Sequence, residues 1–186
     1  LLDQQALMFC MRFMLYLSSI GLFMYVLLHR VAGPVMRVRQ ACEALAEGDI
    51  EHAARLLGRA YAIEGRVVHG EKIGRQLGFP TANVQLKRKR LPLSGVFAVT
   101  VSGIDDHDLP AVASLGVRPT IGSGLKPVLE VHLLDFDRSI YGAHISVNFL
   151  HKLRDEARYD SLDALTAQIT RDVAATRTYF QNMQNG

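Results

Sequence analysis

A glycine-rich stretch in the first half of the chain carries residue types that can bind phosphate. Gly70, Gly74 and Gly78 let a ligand approach the backbone closely, and Arg75 adds a positive charge between them. Free backbone N–H groups in such a loop form anion-binding concavities. The spacing matches neither a Walker loop nor a dinucleotide fingerprint, so the pattern by itself leaves phosphate binding and an ordinary surface loop equally open.

The segment after this loop offers ligands for a metal ion. Pro80 holds Phe79 extended, and Thr81 and Asn83 stand two residues apart, so an extended chain directs both side chains to the same side. A hydroxyl and an amide oxygen beside phosphates are hard ligands of the kind that Mg²⁺ accepts. The sequence therefore predicts a Mg²⁺ site at Thr81 and Asn83.

A glutamate in the middle of an apolar strand is a candidate for acid–base chemistry. Over Val128–Leu134, apolar residues alternate with Glu130 and His132, which places these two side chains on one face of a strand. Burying a carboxylate without a partner is costly, so Glu130 either faces solvent or lies in a site. His132 is equally compatible with a surface histidine or one whose hydrogen bonds are satisfied.

These stretches together resemble the riboflavin kinase (flavokinase) family. The run from Gly70 to Asn83, which ends Gly-Phe-Pro-Thr-Ala-Asn, is similar to a signature of that family. The Leu-Glu-Val-His segment around Glu130 is similar to the strand that bears the family's catalytic glutamate. The resemblance implies transfer of the ATP γ-phosphoryl group to riboflavin, giving FMN and ADP. It implies that Glu130 is the general base for the ribityl 5′-hydroxyl and that Mg²⁺ is held near Thr81 and Asn83.

Three later segments extend the resemblance. Gly116–Gly124 is similar to a Gly-x-x-Pro-Thr segment near the substrate, Ile140–Gly142 to an element at the nucleotide, and Leu153–Glu156 to a Leu-Arg-x-Glu segment at the flavin. From the residues alone, alternatives stay open: a flexible connection for the first, packing at a strand start for the second, and an ion pair between a strand end and a helix for the third. The implied ATP contacts are Gly70, Arg75, Gly78, Pro80, His132 and Tyr141. The implied flavin contacts are Arg118, Thr120, Arg154 and Glu156.

The elements that position these residues are mostly short strands. Alternating apolar and polar residues predict strands at Leu93–Ser102, Leu109–Val117, Val128–Leu134 and Ile145–Leu150, with turn residues between them. Ser161 is expected to cap a final helix, whose apolar stripe packs across one side of the sheet. This pattern favours a small antiparallel barrel over a Rossmann fold. The resemblance implies a mainly β fold: a six-stranded, Greek-key-like flavokinase barrel with a long C-terminal helix, preceded by a helical N-terminal segment.

The N-terminal segment differs from the rest of the chain in hydropathy. Ala6–Leu28 contains Arg12 as its one charged residue and is followed by basic residues, so it is long enough to span a bilayer with the remainder on the cytoplasmic side. A charge inside the run is unfavourable in lipid, and a helix buried against a neighbouring domain or a misread upstream frame stays open. Gly33 and Pro34 are expected to break the segment, with two short helices following over Met36–Gly58. Because the chain does not begin with Met, we expect a fragment or a processed product.

These features divide the chain into three expected parts. Residues 1–35 form the apolar segment (a membrane helix or a domain remnant), 36–59 a helical linker, and 60–183 the kinase barrel with its C-terminal helix. The linker resembles the one that joins the adenylyltransferase and flavokinase domains of bifunctional bacterial FAD synthetases. The His-x-Gly-His motif of that first domain does not occur in this sequence. We therefore expect the adenylyltransferase domain to be absent and predict no FAD synthesis from this chain.

Composition limits the other functions to be considered. The chain has 186 residues, of which 49% are hydrophobic and 21% charged, which indicates a folded protein, and its net charge of +3 is too small to imply nucleic acid, so we expect no nucleic-acid partner. Its two cysteines, Cys10 and Cys42, fit no zinc or disulfide framework, so we expect a reducing, cytoplasmic compartment. A barrel for single-stranded nucleic acid needs aromatic residues interleaved with basic ones on strand faces, and these strands carry Val, Leu and Ile instead. The alternative that stays open is a non-catalytic flavin- or nucleotide-binding module. We expect riboflavin and ATP as small-molecule partners.

Overall fold

The computed structural model describes residues 3–70, 73–88, 91–120 and 124–185, and the chain divides into two compact units, Leu1–Gln40 and Ala41–Gly186. A helical N-terminal part precedes a region of strands, and a long helix follows them. In chain order the elements are α1 (Gln4–Leu27), a π-helical turn (Leu28–Ala32), α2 (Gly33–Glu47), α3 (Ile50–Leu57), β1 (Tyr61–Val68), α4 (Ile73–Gln76), β2 (Ala82–Gln85), β3 (Gly95–Ser102), β4 (Leu109–Thr120), β5 (Gly124–Leu133), β6 (His144–Arg154) and α5 (Leu162–Asn185).

Within the described residues, six strands close into an antiparallel barrel in the order β1-β2-β5-β4-β3-β6. Alternate side chains point inward, because successive residues of a strand face opposite sides, and they form one continuous apolar core. At its centre the rings of Phe97 and Phe149 meet edge to face with centroids 5.2 Å apart, and both are fully buried. The predicted fold class, a six-stranded antiparallel barrel with a C-terminal helix, is confirmed.

Two helices join the barrel core ahead of β1. Leu45 at the end of α2 and Ile50 and Ala53 in α3 belong to the same buried cluster as the inward-facing strand residues. The Asp49 side chain caps α3 by accepting the backbone N–H three residues on at 2.9 Å, and Gly58 ends the helix at a φ of +71°. The two helices predicted over Met36–Gly58 are confirmed.

The predicted helix break at Gly33 and Pro34 is wrong. The chain stays helical from α1 through the π-helical turn into α2. Proline lacks an N–H and its ring clashes with the carbonyl four residues earlier, so a regular α-helix cannot pass it without adjustment. The adjustment is the π turn, in which the N–H of Gly33 bonds to the carbonyl of Leu28, five residues back. By length and composition the continuous helix Gln4–Glu47 is apolar and long enough to cross a membrane.

The β4–β5 hairpin is longer than the sequence predicted. Residues 116–120, predicted as part of a glycine-rich loop, continue β4 and pair with β5 as far as Thr120 opposite Gly124. Pairing with a long neighbouring strand overrides the local turn preference of glycine and proline. The remainder of the predicted loop, residues 121–123, lies outside the described residues. Arg118 and Thr120 belong to the end of this ladder by their backbone, and their side chains also lie outside the described part.

The C-terminal helix α5 packs on the outer faces of β3, β4 and β6. Its start is capped as predicted, since the Ser161 hydroxyl accepts the backbone N–H of Ala164 at 3.1 Å. Val173 packs against a second, outer cluster formed by Val96, Val112 and Leu134. Leu162, predicted to belong to the packed stripe, is the first residue of α5 and is 63% exposed, so the prediction is wrong for this residue.

Candidate active site

Two cavities in the described part of the structure share Thr81 in their walls. The first, which we call the Glu130 cavity, measures about 260 Å³ and is lined by Asn83, Glu130 and His132 together with the inner side of α5. The second, the Tyr141 cavity, measures about 330 Å³ and is lined by Arg75 and by the loop between β5 and β6. Thr81 therefore stands at the junction between the cavity lined by Glu130 and the cavity lined by Arg75.

Strand pairing assembles the polar wall of the Glu130 cavity. Closure of the barrel makes β5 the neighbour of both β2 and β4, and the register sets Asn83 and Ser114 directly opposite Glu130 on its two sides. Residues directly opposite in an antiparallel ladder direct their side chains to the same face. This face is the outer one, because the alternate positions Leu129 and Val131 fill the barrel interior. The sequence left open whether Glu130 faces solvent or lies in a site. In the structure its side chain belongs to the wall of a cavity.

More backbone N–H groups of the glycine-rich loop form hydrogen bonds within the loop than the sequence predicted. The carbonyl of Gly74 accepts the N–H groups of Leu77 at 3.2 Å and Phe79 at 2.8 Å, and Gly78 donates to Arg75 at 3.3 Å. These N–H groups are occupied within the loop, so the expectation of free N–H groups for phosphate is wrong for them. A Cβ at Gly74 would lie 2.5 Å from the Phe79 carbonyl oxygen, which explains why this turn requires glycine.

The two predicted metal ligands face the Glu130 cavity and fit Mg²⁺ by their chemistry. Thr81 supplies a hydroxyl and Asn83 an amide oxygen, both neutral and hard, as suits an ion that keeps several waters and binds phosphate oxygens. Gly70 borders this pair, because a Cβ there would collide with the Asn83 side chain. Across the described residues, no cluster of three or more His, Cys, Asp or Glu side chains could hold a metal. Thr81 and Asn83 stay the predicted ligands of Mg²⁺.

His132 lies in the Glu130 cavity rather than with the other predicted ATP contacts. Its Nδ1 donates to the carbonyl oxygen of Pro80 at 2.9 Å, and its ring meets Phe79 in a T-shaped contact with centroids 5.6 Å apart. Of the remaining predicted ATP contacts, the Tyr141 cavity brings together three, namely Arg75, Pro80 and Tyr141. The lining of neither cavity includes the other two, Gly70 and Gly78.

The wall of the Tyr141 cavity is held against β1. Gly142, at a φ of +83°, donates its N–H to the carbonyl of Val67 at 2.9 Å, which turns the chain tightly beside the end of β1. Tyr141 then packs on His69 with ring centroids 4.0 Å apart and an angle of 32° between the rings. Tyr141 therefore packs beside the end of β1 and borders this cavity, and the nucleotide contact implied for it stays a prediction.

Arg154 borders the Glu130 cavity through an ion pair with α5. Its Nε lies 2.9 Å from Oδ1 of Asp172 and its Nη2 2.7 Å from Oδ2, while Nη1 donates to the Asp155 carbonyl at 2.9 Å. The hydrogen bond with Asp172 raises the pKa of the Arg154 guanidinium. This is the strand-to-helix ion pair that the residues left open as an alternative, and it coexists with a place in the cavity wall.

Glu156 is the second predicted flavin contact whose side chain the structure describes, and residues of β4 hold it in position. Ser114 donates its hydroxyl to Glu156 Oε1 at 3.1 Å. The carboxylate lies over Gly116, where a Cβ would collide with it, so glycine at this position leaves the space that Glu156 occupies. Glu156 and Arg154 line the same cavity as Glu130.

Sequence reasoning missed several residues of these walls. Asp172 interrupts the apolar stripe of α5 between Ile169 and Val173, and a carboxylate at that spacing was a signal of a buried partner. Ser114 is the one polar residue between Leu109 and Val117, which was a weaker signal. No feature of the local sequence pointed to His69, because its contact with Tyr141 joins segments far apart in the chain.

Comparison with known proteins shows similarity to one family over most of the chain. The Flavokinase family model, described as riboflavin kinase, matches residues 57–180. A bifunctional riboflavin kinase/FMN adenylyltransferase of Pseudomonas fluorescens is 54% identical over 138 residues, and that of Escherichia coli (strain K12) is 50% identical over the same length. Each alignment covers 74% of this chain and 44% of the relative, so the chain spans less than half the length of these curated relatives. A solved structure described as a macrolide-efflux protein from Streptococcus pneumoniae matches 75% of this chain and 45% of its own length, with a TM-score of 0.69 and 36% identity.

Proposed function

The chain belongs to the riboflavin kinase family, and we propose that it transfers the γ-phosphoryl group of ATP to the 5′-hydroxyl of riboflavin, giving FMN and ADP. The observation that carries this proposal is the opposition of Asn83 and Glu130 across β2 and β5, with Thr81 in the same cavity. A candidate base and a candidate metal site thus share one wall. The proposal concerns the kinase reaction alone.

In the proposed reaction Glu130 acts as general base. Its carboxylate takes the proton of the riboflavin 5′-hydroxyl as that oxygen bonds to the γ-phosphorus, and the bond to the β,γ-bridging oxygen breaks so that ADP leaves with the electron pair. Thr81 and Asn83 would hold Mg²⁺, which when bound neutralises charge on the phosphates. The protein then contributes chiefly by positioning the two substrates, which is where phosphoryl transfer gains most of its rate.

We assign the nucleotide to the Tyr141 cavity and the flavin to the Glu130 cavity. The first offers Arg75 and Arg138 for phosphates and Phe136 and Tyr141 for a flat base. The second offers a mixed wall of aromatic and aliphatic side chains for an isoalloxazine ring, contributed by Phe79, Tyr159, Leu165, Ile169 and Val173. Three of these belong to the α5 stripe, which therefore borders a ligand cavity as well as the sheet. Thr81, common to both cavities, lies where the transferred group would pass from one to the other.

The remaining predicted contacts keep their place in this proposal. Arg154 and Glu156 frame the flavin from the Glu130 cavity, and the family resemblance implies that Arg118 and Thr120 contact it as well. Gly70 and Gly78 contribute the shape of the glycine-rich loop rather than a cavity wall.

The test is FMN formation from riboflavin and Mg²⁺-ATP, resolved by chromatography, for the parent protein, Glu130→Gln and Glu64→Gln. Glu64 is a matched control, because it is an exposed glutamate on β1 that lines neither cavity. Loss of a general base lowers kcat by about 10²–10⁴-fold, so Glu130→Gln should form little FMN while Glu64→Gln matches the parent. Equal rates in all three would remove Glu130 from its role. A folded parent that binds riboflavin and forms no FMN would leave the non-catalytic binding module.

We also propose that α1 anchors the kinase to a membrane, with residues 36–59 as linker and the barrel, residues 60–183, on the cytoplasmic side. The 24 residues of α1 extend about 36 Å, which exceeds the hydrocarbon thickness of about 30 Å. Phe9, Met14 and Leu15 point to different sides of the helix and are 71%, 68% and 68% exposed. A helix that is apolar all round suits lipid rather than water.

Flotation with phospholipid vesicles tests the anchor. The parent protein should rise with the vesicles, and Met14→Lys combined with Leu15→Lys should stay in the soluble fraction, because two charges near the helix centre oppose insertion. A parent protein that remains at the bottom of the gradient in the absence of detergent would contradict a membrane anchor.

A further inference from the structure

The β2–β5 ladder ends one residue short of Thr81, and a side chain continues the connection beyond it. Ala82 opposite Val131 is the last backbone pair, and Pro80 cannot donate to β5 because proline has no N–H. The carbonyl oxygen of Pro80 instead accepts a hydrogen bond from Nδ1 of His132 at 2.9 Å. The residues on both sides of Thr81 are therefore bound to β5: Ala82 by backbone pairing with Val131, and Pro80 by the hydrogen bond from His132.

This contact determines which nitrogen of His132 carries hydrogen. A carbonyl oxygen only accepts, so Nδ1 must be the protonated nitrogen, and in the neutral ring Nε2 is then an acceptor. The T-shaped contact with Phe79 holds the ring plane in the orientation that the hydrogen bond requires. Because the imidazolium form also carries hydrogen on Nδ1, protonation of the ring leaves the hydrogen bond to Pro80 in place.

We propose that His132 is a positioning residue, whose hydrogen bond to Pro80 sets the place of the Thr81 hydroxyl relative to Asn83 and Glu130. The inference rests on the proposed kinase function, in which Thr81 and Asn83 hold Mg²⁺. His132 lies two residues after Glu130 on the same face of β5. One strand therefore carries the base and also the side chain that positions the metal ligands opposite it.

Two amide variants separate this role from simple packing. In His132→Asn the side-chain amide nitrogen takes the place of Nδ1 and can still donate to Pro80, whereas in His132→Gln it takes the place of Nε2 and cannot. Groups that orient metal ligands typically affect metal affinity by 10–100-fold, so we expect the Mg²⁺ concentration for half-maximal FMN formation to rise about tenfold or more in His132→Gln. His132→Asn should stay near the parent value.

Riboflavin binding without Mg²⁺ and ATP, followed by quenching of flavin fluorescence, serves as the companion measurement. It should change to the same extent in both variants, because both remove the imidazole ring from the wall of the Glu130 cavity and the metal ligands do not act in that complex. Equal Mg²⁺ dependence in the parent and both variants, in the presence of FMN formation, would overturn the positioning role and leave the kinase proposal intact.

A second readout does not depend on activity. Long-range ¹⁵N–¹H spectra of the parent protein at neutral pH should show His132 with hydrogen on Nδ1, the tautomer that predominates less often in water. A ring protonated on Nε2 alone would overturn the hydrogen bond to Pro80. If the parent forms no FMN, the kinase proposal fails, and these spectra still decide whether the His132–Pro80 connection exists.

Discussion

The ion pair between Arg154 and Asp172 offers a sharp test of how α5 is held on the barrel. Asp172→Asn keeps the size of the side chain and removes its charge. Asp172 is 5% exposed, and its carboxylate accepts from Arg154 and, at 2.8 Å, from Gln168. The substitution therefore leaves a largely buried guanidinium without its counter-charge, while the neighbouring packing stays in place.

The expected loss of stability follows from that burial. Removing one partner of a buried ion pair costs about 3–5 kcal/mol, and the partial exposure of the Arg154 side chain, 23%, favours the lower end. A loss of about 3 kcal/mol in a chain of this size lowers the unfolding midpoint by about 6–12 °C. Because α5 supplies one wall of the Glu130 cavity, we also expect weaker riboflavin binding.

The chain contains a matched control on the same helix. Arg177 of α5 forms a bidentate pair with Asp135, both contacts being 2.7 Å, and these side chains are 46% and 72% exposed. Exposed pairs contribute little, because water screens them. Asp135 has a φ of +52°, a conformation that Asn tolerates, so Asp135→Asn removes the charge without backbone strain.

Thermal unfolding followed by circular dichroism, at two salt concentrations, compares the two variants. Asp172→Asn should show a clear fall in midpoint at both concentrations, and Asp135→Asn should follow the parent closely. An unchanged midpoint in Asp172→Asn, or equal falls in both variants, would refute the reasoning that burial decides the strength of these pairs.

Two further predictions concern the cavity wall and the loop beside it. Gly116→Ala should displace the Glu156 carboxylate into solvent with little change in the unfolding midpoint. In a fluorescence titration it should weaken riboflavin binding about tenfold, or about 1.4 kcal/mol. An unchanged affinity would contradict a flavin contact at Glu156. The hydrogen bond from Arg138 holds the pKa of Asp105 in the folded protein below its ordinary value. The pair therefore stabilises the folded state at pH values above the ordinary Asp pKa, and this contribution is lost as the pH falls through the pKa of Asp105 in the folded protein. Carboxyl ¹³C titration should show this pKa rise towards its ordinary value in Arg138→Gln, and no change would rule out the pair in solution.

The strands were predictable where their pattern is local. Alternation over β3, β5 and β6 identified the inward and outward faces correctly, because successive residues of a strand face opposite sides. Two of the wrong predictions have causes that lie outside the residues on which they were based. Residues 116–120 became strand because β5 pairs with them, and the helix passed Pro34 because a π turn upstream removed the steric conflict. Glycine and proline favour turns and helix ends locally, and a neighbouring element can override that preference.

The sequence by itself determined which chemistry is available and which family resemblance it carries. Thr81, Asn83 and Glu130 are recognisable by residue type and by spacing along the chain, since a period of two residues encodes a common face. That information is local, and it holds in any fold that keeps these segments extended.

Only the tertiary structure decided which of these residues meet. Closure of the barrel set Asn83 opposite Glu130, tied His132 to Pro80, and brought Asp172 to Arg154. Each contact joins segments well separated in the chain, and its geometry depends on the register between elements. Register is settled by burying the whole inner face of the barrel at once, a property of all six strands together that no single stretch of sequence contains.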